Sequence, residues 1–352
     1  MQGQSLSNPP HMTLVESAPG WSGIGMGADG KFRIDGSALK AGYKCSTQAT
    51  LRYGWGLTAK AEKAALLAGT AFHKAADVHL TGGEISVALA EFDFIYKDWA
   101  QVNVAADDKL AWANTRLITQ KWIEAHPIEG EIKEYLGGGA VAHVKGWPFT
   151  VTYVEVPFEV PLTTIDGVEI LFVGRMDVVG EYLGGYVVVD HKTTGFINAM
   201  WTDQWAMDGQ VTGYIWAARQ LLRDKPVMGA FINGVQFSKL PNDGTRKCKN
   251  HEVKYAECGP MHAKWEVVGL LERNATMVEN WLAEAVPMAE GLYRLWRAAG
   301  SDMEVLPQLQ MEGMFTGECR WCEFRKGVCE VGRRPGVARA ALEFAPWNPL
   351  EG

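Results

Sequence analysis

The sequence predicts an α/β fold, a compact run of strands held between helical stretches, and three observations predict it. Apolar residues recur at helical spacing over most of the stretch from Ser37 to Ala125. Strand signals then take over in FTVTYVEVPFEV (149–160), VEILFVGRMDVVG (168–180) and YVVVDHKTT (186–194), rich in β-branched and aromatic residues. Helical spacing returns from Trp201 to about Leu222 and over 263–299, with one more strand, VMGAFINGVQF, at 227–237. Helices on either side of a strand run pack onto its sheet, giving a mixed sheet flanked by helices.

Taken in order, residues 1–34 are rich in Gly, Ser and Pro and read as a loose segment. Helices are expected at Ser37 to about Tyr53, Ala59 to Leu80, Ile85 to Ala100 and Asp107 to Ala125, punctuated by Gly82-Gly83 and Gly137-Gly138-Gly139. The stretch GEYLGG (180–185) is a turn signal, so 171–179 and 186–192 read as a hairpin. With Gly184-Gly185 as a two-residue turn, Asp177 stands opposite Lys192 and diagonal to Asp190. A four- or six-residue loop slips the pairing but keeps all three side chains on one face, because side-chain direction alternates with period 2. The segment 263–299 reads as one or two long helices leading into a cysteine-bearing tail.

Composition excludes several classes. A chain of 352 residues suffices for one large domain or two ordinary ones. Its formal charge of −7 argues against a protein that coats nucleic acid generically, though not against a nuclease whose metal site needs carboxylates. The first twenty residues show no basic stretch followed by an apolar run, and no apolar run approaches the roughly 18 residues of a membrane span. A cytoplasmic protein of a bacterial or phage-infected cell is therefore expected. In that compartment the six cysteines are expected to bind metal rather than pair as disulfides.

Asp177, Asp190 and Lys192 sit in otherwise apolar strands, and that is the chemical signal. Diagonal cross-strand partners lie roughly 7–8 Å apart at the backbone, a span two carboxylates can close around one cation. Oxygen ligands suit Mg²⁺ or Mn²⁺, and such an ion can acidify water and neutralise a phosphodiester in the transition state. Lys192 would orient or deprotonate that water, or stabilise the pentavalent phosphate. The bland alternative is a buried ion pair, which is costly as a purely structural device. Elsewhere His73 lies on a helix in GTAFHKAADVHL, and Gln210 and Tyr214 stand four apart on the helix after the strands, on one face.

The ordered motifs Gly69 to His73, Gly174-Arg175-Met176-Asp177, Asp190-His191-Lys192-Thr193-Thr194 and Gln210-x-x-x-Tyr214 resemble those of the RecB-like branch of the PD-(D/E)xK nuclease superfamily, over roughly residues 40–330. The resemblance implies a restriction-endonuclease-like mixed sheet core flanked by helices, with an N-terminal helical region and a C-terminal cysteine-cluster tail. It implies a single nuclease domain over 35–340, with a helical part at 57–135, a catalytic core at 149–237, helices at 263–300 and a tail at 315–335 closing back on Cys45. His73, Asp177 and Asp190 would be metal ligands, with the backbone carbonyl of His191 as a further one, and Lys192 the catalytic lysine. Gln210 and Tyr214 would position DNA or the lysine, and Glu155 matches an upstream acidic position, with Glu159 close by. The sequence departs from the usual pattern in having no proline before Asp177 and Asp rather than Glu at 190.

The tail GECRWCEFRKGVCEVGRR gives Cys319-x-x-Cys322 and, after six further residues, Cys329, while Cys45 lies far upstream. One cysteine before the nuclease motifs and three after them resembles the iron–sulfur nucleases, in which four thiolates hold a 4Fe–4S cluster that clips the N-terminal helix to the tail. Zinc could take the same four. A separate zinc site could form from Cys248, His251, Cys258 and His262. But HEVKYAEC reads as a strand between turns, and Cys248 and Cys258 then read as small buried hydrophobes. Arg320, Arg325, Lys326, Arg333, Arg334 and Arg339 make the tail a candidate phosphate-contacting patch or simply a solvated charged tail. Trp201 and Trp205 are the tryptophans nearest the active-site helix that could stack on bases.

The expectation is a metal-dependent DNA nuclease, an exonuclease on DNA ends or single strands in recombination, repair or phage DNA processing. No G-x-x-x-x-G-K-[ST] loop is present, so any unwinding would come from a helicase or recombination partner. The runner-up is a non-catalytic DNA-binding accessory protein that retains the fold, and a third reading is an RNA nuclease or nickase in a larger complex.

Overall fold

The computed structural model describes residues 24–59, 64–135, 139–242, 244–300, 304, 306–307, 317–345 and 348. In chain order its elements begin with β1 (Ile24–Met26), β2 (Phe32–Asp35), α1 (Gly36–Lys44), α2 (Ser46–Ala49) and β3 (Leu57–Ala59). The helices α3 (Ala64–Leu80), α4 (Ile85–Asn103) and α5 (Trp112–Ala125) follow. Next come β4 (Ile128–Tyr135), β5 (Gly139–Val144), β6 (Thr150–Ile165), β7 (Val168–Tyr182) and β8 (Gly185–Thr194). The chain continues with α6 (Ala199–Asp203), α7 (Gly209–Leu221), β9 (Val227–Gln236), α8 (Tyr255–Cys258), β10 (Lys264–Leu271), α9 (Ala275–Ala299), α10 (Pro335–Ala341) and β11 (Leu342–Phe344).

The main sheet runs β10-β9-β8-β7-β6-β5-β4, with β2 alongside β7 and β1 beyond β2. β8 with β9 and β2 with β7 are parallel, and the other pairs are antiparallel, so the sheet is mixed as expected. β7 and β8 are buried on both faces over most of their length, as central strands covered by helices must be. One face packs against α1, α7 and α9 through Phe172, Ile215, Trp216, Trp281 and Tyr293. The other packs against α3, α4 and α5 through Phe72, Phe92, Trp122, Val187 and Val189. Four alanines of α3 (Ala68, Ala71, Ala75, Ala76) are buried and let this helix lie close on the sheet. Gly69 shows how close: a Cβ there would stand 3.0 Å from Thr193 Oγ1 on β8.

Three expectations change. Residues 24–26 and 32–34, read as loose, belong to β1 and β2, and Asp35 ends β2 by capping α1, accepting from Ala38 N at 2.7 Å. The stretch from Trp201 is not one helix: the Asp208 carboxylate accepts from Gln210 N and Val211 N and starts α7 afresh. Residues 264–271, read as helix, are strand β10 on β9. The helix begins only after Asn274, which accepts from Met277 N at 2.9 Å. A Val-Val pair next to Trp265 fits a pleated surface as well as a helical stripe, and periodicity over so short a run cannot separate the two.

The tail docks onto the chain just after α1. Phe324, Val328, Ala338 and Leu342 pack with Leu51 and Trp55. β11 pairs with β3, and the Glu323 carboxylate accepts from Thr58 Oγ1 at 2.7 Å and from Ala59 N at 2.9 Å.

Candidate active site and cysteine centres

The carboxylates cluster where β7 changes partner. Its first half pairs with β2 over Ile170–Val173, and its second half with β8 over Val178–Tyr182. Between them Gly174 to Asp177 is laddered to β6 alone, beside the C-terminal ends of the parallel strands β8 and β9. The hairpin turn is Leu183-Gly184, not Gly184-Gly185: both turn residues have positive φ, 48° and 82°, as a type I′ turn requires. Gly185 is needed elsewhere, since a Cβ there would fall 2.5 Å from the Pro226 carbonyl oxygen of the strand β8 must meet. The pairing therefore slips by two residues, and one step beyond the Val178–Val189 pair places Asp177 across from Asp190 rather than Lys192. A slip of two keeps side-chain parity.

The side chains converge there. Asp177 Oδ2 accepts the His191 backbone N–H at 2.6 Å and lies 3.5 Å from His73 Nδ1, on α3. Lys192 Nζ lies 2.6 Å from Asp190 Oδ2 and donates to Gln210 Oε1 at 3.4 Å, while Gln210 Nε2 donates to Tyr214 OH at 3.2 Å. So α3 contributes from one side of the sheet and α7 from the other. The His191 ring faces the α3 core beside Phe72 and Trp122, with Asn233 Nδ2 2.8 Å from its Nδ1. Burial lowers its pKa to about 3, leaving it neutral. Only its backbone meets the carboxylates.

Two acids join from the neighbouring elements. Glu155 stands on β6 between the Val154–Val178 and Val156–Met176 pairs, in a left-handed conformation (φ 55°) that a non-glycine residue rarely adopts. It forms an ion pair with Arg175, whereas Glu159 is engaged by Arg33 at 2.6 Å and takes no part. Asp77, four residues after His73 on α3, is 8% exposed and close enough to Glu155 and Asp177 for both to raise its pKa. The sequence reading missed Asp77. The signal available was the (i, i+4) spacing that puts His73 and Asp77 on one face of a helix.

The electrostatics are those of a site short of positive charge. Burial pushes Asp77 up to about 8 and Asp190 up to about 6, the latter in spite of Lys192. Asp177 is held well below the carboxylate range: burial opposes this, and His73 outweighs it. Burial would lower the His73 imidazole, but Asp177 raises it to about 8, and Lys192 is likewise raised by Asp190 against its own burial. Asp190 Oδ2 is buried with only its ion pair to Lys192, and Glu155, ion-paired with Arg175, is buried against the Asp77 carboxyl. Such oxygens are expensive unless something cationic meets them. His73, Asp177 and Asp190, flanked by Glu155 and Asp77, are imidazole and carboxylate donors of the kind a divalent cation takes.

Among the cysteines, Cys45 follows α1, Cys319 and Cys322 share a short turn whose Cys322 N donates to Cys319 O at 3.3 Å, and Cys329 follows one turn later. Burial pushes the Cys329 thiol up to about 11, and the Cys322, Cys45 and Cys319 sulfurs add to it. Cys248 and Cys258 correct the sequence reading. They are buried, but not as isolated hydrophobes: with His251 and His262 their ligand atoms lie within 4.8 Å of one another. HEVKYAEC is not a strand. It carries a one-pair bridge, Lys247–Lys254, and then the turn of helix α8. Within the basic tail, Arg325 pairs with Glu330 and Arg339 with Glu304. Trp201 and Trp205 are core residues, packed edge to face at 5.5 Å and about 6% exposed, so neither offers a face to a base.

No helix among the described residues is long and apolar enough to cross a membrane. Comparison with curated proteins yields no significant match. Among solved structures the crystal structure of SSO0001 is similar at 16% identity and a TM-score of 0.24, over 49% of this chain and 56% of that one. The chain thus spans little more than half of that relative, and so low a TM-score carries no argument about the site. The family comparison reaches much further: the sequence matches the PD-(D/E)XK nuclease superfamily over residues 36–330, most of the chain and every strand-borne residue of the carboxylate cluster, and the chain belongs to that superfamily.

Proposed function

We propose that this protein is a metal-dependent DNA exonuclease that hydrolyses phosphodiester bonds at DNA ends or on single strands. The convergence of Asp177, Asp190 and Lys192 with His73 at the gap in β7 carries the reading. In this reading His73, Asp177, Asp190 and the His191 carbonyl hold Mg²⁺ or Mn²⁺, which supplies positive charge to the scissile phosphate and makes water easier to deprotonate. Lys192, kept as an ammonium by Asp190, donates to the attacking water or to the phosphate oxygen on which charge builds. Gln210 fixes the lysine, and Tyr214 fixes Gln210. Water attacks phosphorus, the P–O bond to the leaving nucleotide breaks, and the proton lost by the attacking water passes through solvent to the leaving oxygen, with no covalent enzyme intermediate.

The proposal extends to the thiols: Cys45, Cys319, Cys322 and Cys329 would hold a structural 4Fe–4S cluster, or zinc in its place. The seal of the tail over Leu51 and Trp55, a few residues beyond Cys45, supports this. A cytoplasmic setting in recombination, repair or phage DNA processing, with unwinding left to a partner, completes the reading.

The test incubates linear single-stranded, linear duplex and covalently closed circular DNA with Mn²⁺, Mg²⁺ or EDTA, for wild type and Lys192→Ala. Metal-dependent shortening of linear DNA only, lost in the variant, is the expected result. A wild type that binds DNA and cuts none would make it an accessory protein. Cleavage of RNA alone would move the substrate.

A further inference from the structure

The excursion between β9 and β10, residues 237–263, carries a second cluster of ligand-type side chains that the nuclease reading leaves unused. Cys248 Sγ lies 3.5 Å from His251 Nδ1 and 3.4 Å from His262 Nε2, and Cys258 Sγ lies 3.4 Å from the same His262 Nε2. A tetrahedral zinc ion with bonds of about 2.3 Å to sulfur and about 2.0–2.1 Å to nitrogen would set sulfur and nitrogen about 3.5 Å apart along each edge. All three distances match that edge. Hydrogen bonding alone accounts for them poorly, because one imidazole nitrogen has a single in-plane lone pair or proton and faces two sulfurs at equal distance.

The backbone supports each ligand pair. Cys248 and His251 sit on a tight turn closed by Cys248 N donating to Val253 O at 2.7 Å and Glu252 N donating to Cys248 O at 2.9 Å. Glu252 takes φ 59° to complete it. Cys258 and His262 are four apart across α8 and the 3₁₀ turn that continues it, so their side chains share a face. Both sulfurs are buried and both imidazoles are partly so, with the two rings edge to face at 5.0 Å. The sulfurs are free thiols.

We propose that Cys248, His251, Cys258 and His262 form a structural Zn²⁺ site. Two thiolates and two imidazoles are a zinc donor set, and four protein ligands leave no position open for substrate, so the ion's work is to hold the excursion together. The excursion is rooted at the end of the sheet where Lys192 emerges. Phe237 N donates to Thr194 O at 2.8 Å, Asn114 bridges Ser238 and Leu240, and Lys264 Nζ donates to Ile197 O at 2.8 Å. The zinc therefore stiffens the segment anchored beside the end of β8, and Lys239 and Arg246 line a groove there of about 530 Å³ with Tyr255 and His262.

The test is elemental analysis of the full-length protein purified without chelator. The expected result is that Cys248→Ser/Cys258→Ser lowers the zinc content by about one ion per chain, while Cys319→Ser/Cys322→Ser does not remove that ion. Should the first variant fail to fold, His251→Ala at a partly exposed ligand should release zinc to a chromogenic chelator faster than wild type. Cobalt replacing zinc in wild type should show the visible absorption of a tetrahedral thiolate site. Wild type that carries no zinc and gives no such band overturns the proposal. Zinc undiminished in Cys248→Ser/Cys258→Ser, but lost in Cys319→Ser/Cys322→Ser, overturns it as well by placing the ion in the tail.

Discussion

The two ligand clusters of this molecule are built in opposite ways. The carboxylates stand on long central strands, covered on both faces and paired by extended ladders, so their positions are set by the whole sheet. The Cys/His cluster stands on a loop and two short turns, positioned by a handful of local hydrogen bonds. In the first the oxygens are buried with too few partners. In the second every ligand atom already touches another. A site on rigid strands can tolerate unsatisfied charge because the fold pays elsewhere, and that stored cost favours a cation whenever one is offered. A loop has no such reserve, and its ligand set must hold the loop rather than be held by it.

The largest expected effect separates the two. Asp190→Asn removes a ligand-type oxygen while keeping shape and volume, and cleavage should fall by a factor on the order of 10²–10⁴. Wild-type cleavage rates in Asp190→Asn would remove this carboxylate from the chemistry. A steep loss of stability without metal would mean that its bond to Lys192 is structural.

Sequence showed the strand-borne site far better than the loop-borne one, for reasons visible in single residues. Asp177, Asp190 and Lys192 interrupt apolar runs, and a charge in such a run has few structural explanations. Parity then carried them to one place even though the turn was misplaced, because Leu183-Gly184 and Gly184-Gly185 differ by a slip of two in the pairing. Asp77 stayed hidden because a lone acid on a helix is usually solvated. Only the approach of α3 to β8, permitted by Gly69 and the buried alanines, puts it beside Glu155. The strands β1, β2 and β10 escaped notice because each is short or was absorbed into a neighbouring helical pattern. Cys248 and Cys258 were set aside when HEVKYAEC was read as a strand. The spacing of Cys258 and His262 pairs their side chains only once Tyr255–Cys258 is known to be helical.

A smaller effect tests the charge shortage through pH. The folded-state pKa of Asp77, raised by burial to about 8, lies above the ordinary carboxylate value of 3.8. Between those values the native state binds more protons than the unfolded one, so Asp77 costs stability progressively as pH rises through that window. Asp77→Asn has no such proton to lose. In EDTA its unfolding temperature should gain on that of wild type from pH 4 to pH 8, and Mn²⁺ should narrow the gap by favouring the ionised aspartate. A difference that stays flat with pH would mean that Asp77 keeps an ordinary pKa and is not part of the cluster.

The smallest effect bears on the register that makes the strand-borne site. Leu183 is 80% exposed and holds φ 48°, a conformation that costs an ordinary side chain roughly 1–2 kcal/mol and that asparagine accepts more readily. With Gly184 at φ 82°, Leu183→Asn creates the Asn-Gly pair preferred in type I′ hairpins, and stability should rise by roughly 1 kcal/mol. Leu183→Val should lower it, because a β-branched residue fits positive φ worst. Urea unfolding midpoints at constant m-value read both changes. The opposite ranking is what a Gly184-Gly185 turn would give, since residue 183 would then lie in a strand, where valine is favoured over asparagine. Asp177 would then face Lys192 and stand only diagonal to Asp190, a longer reach for two carboxylates around one cation.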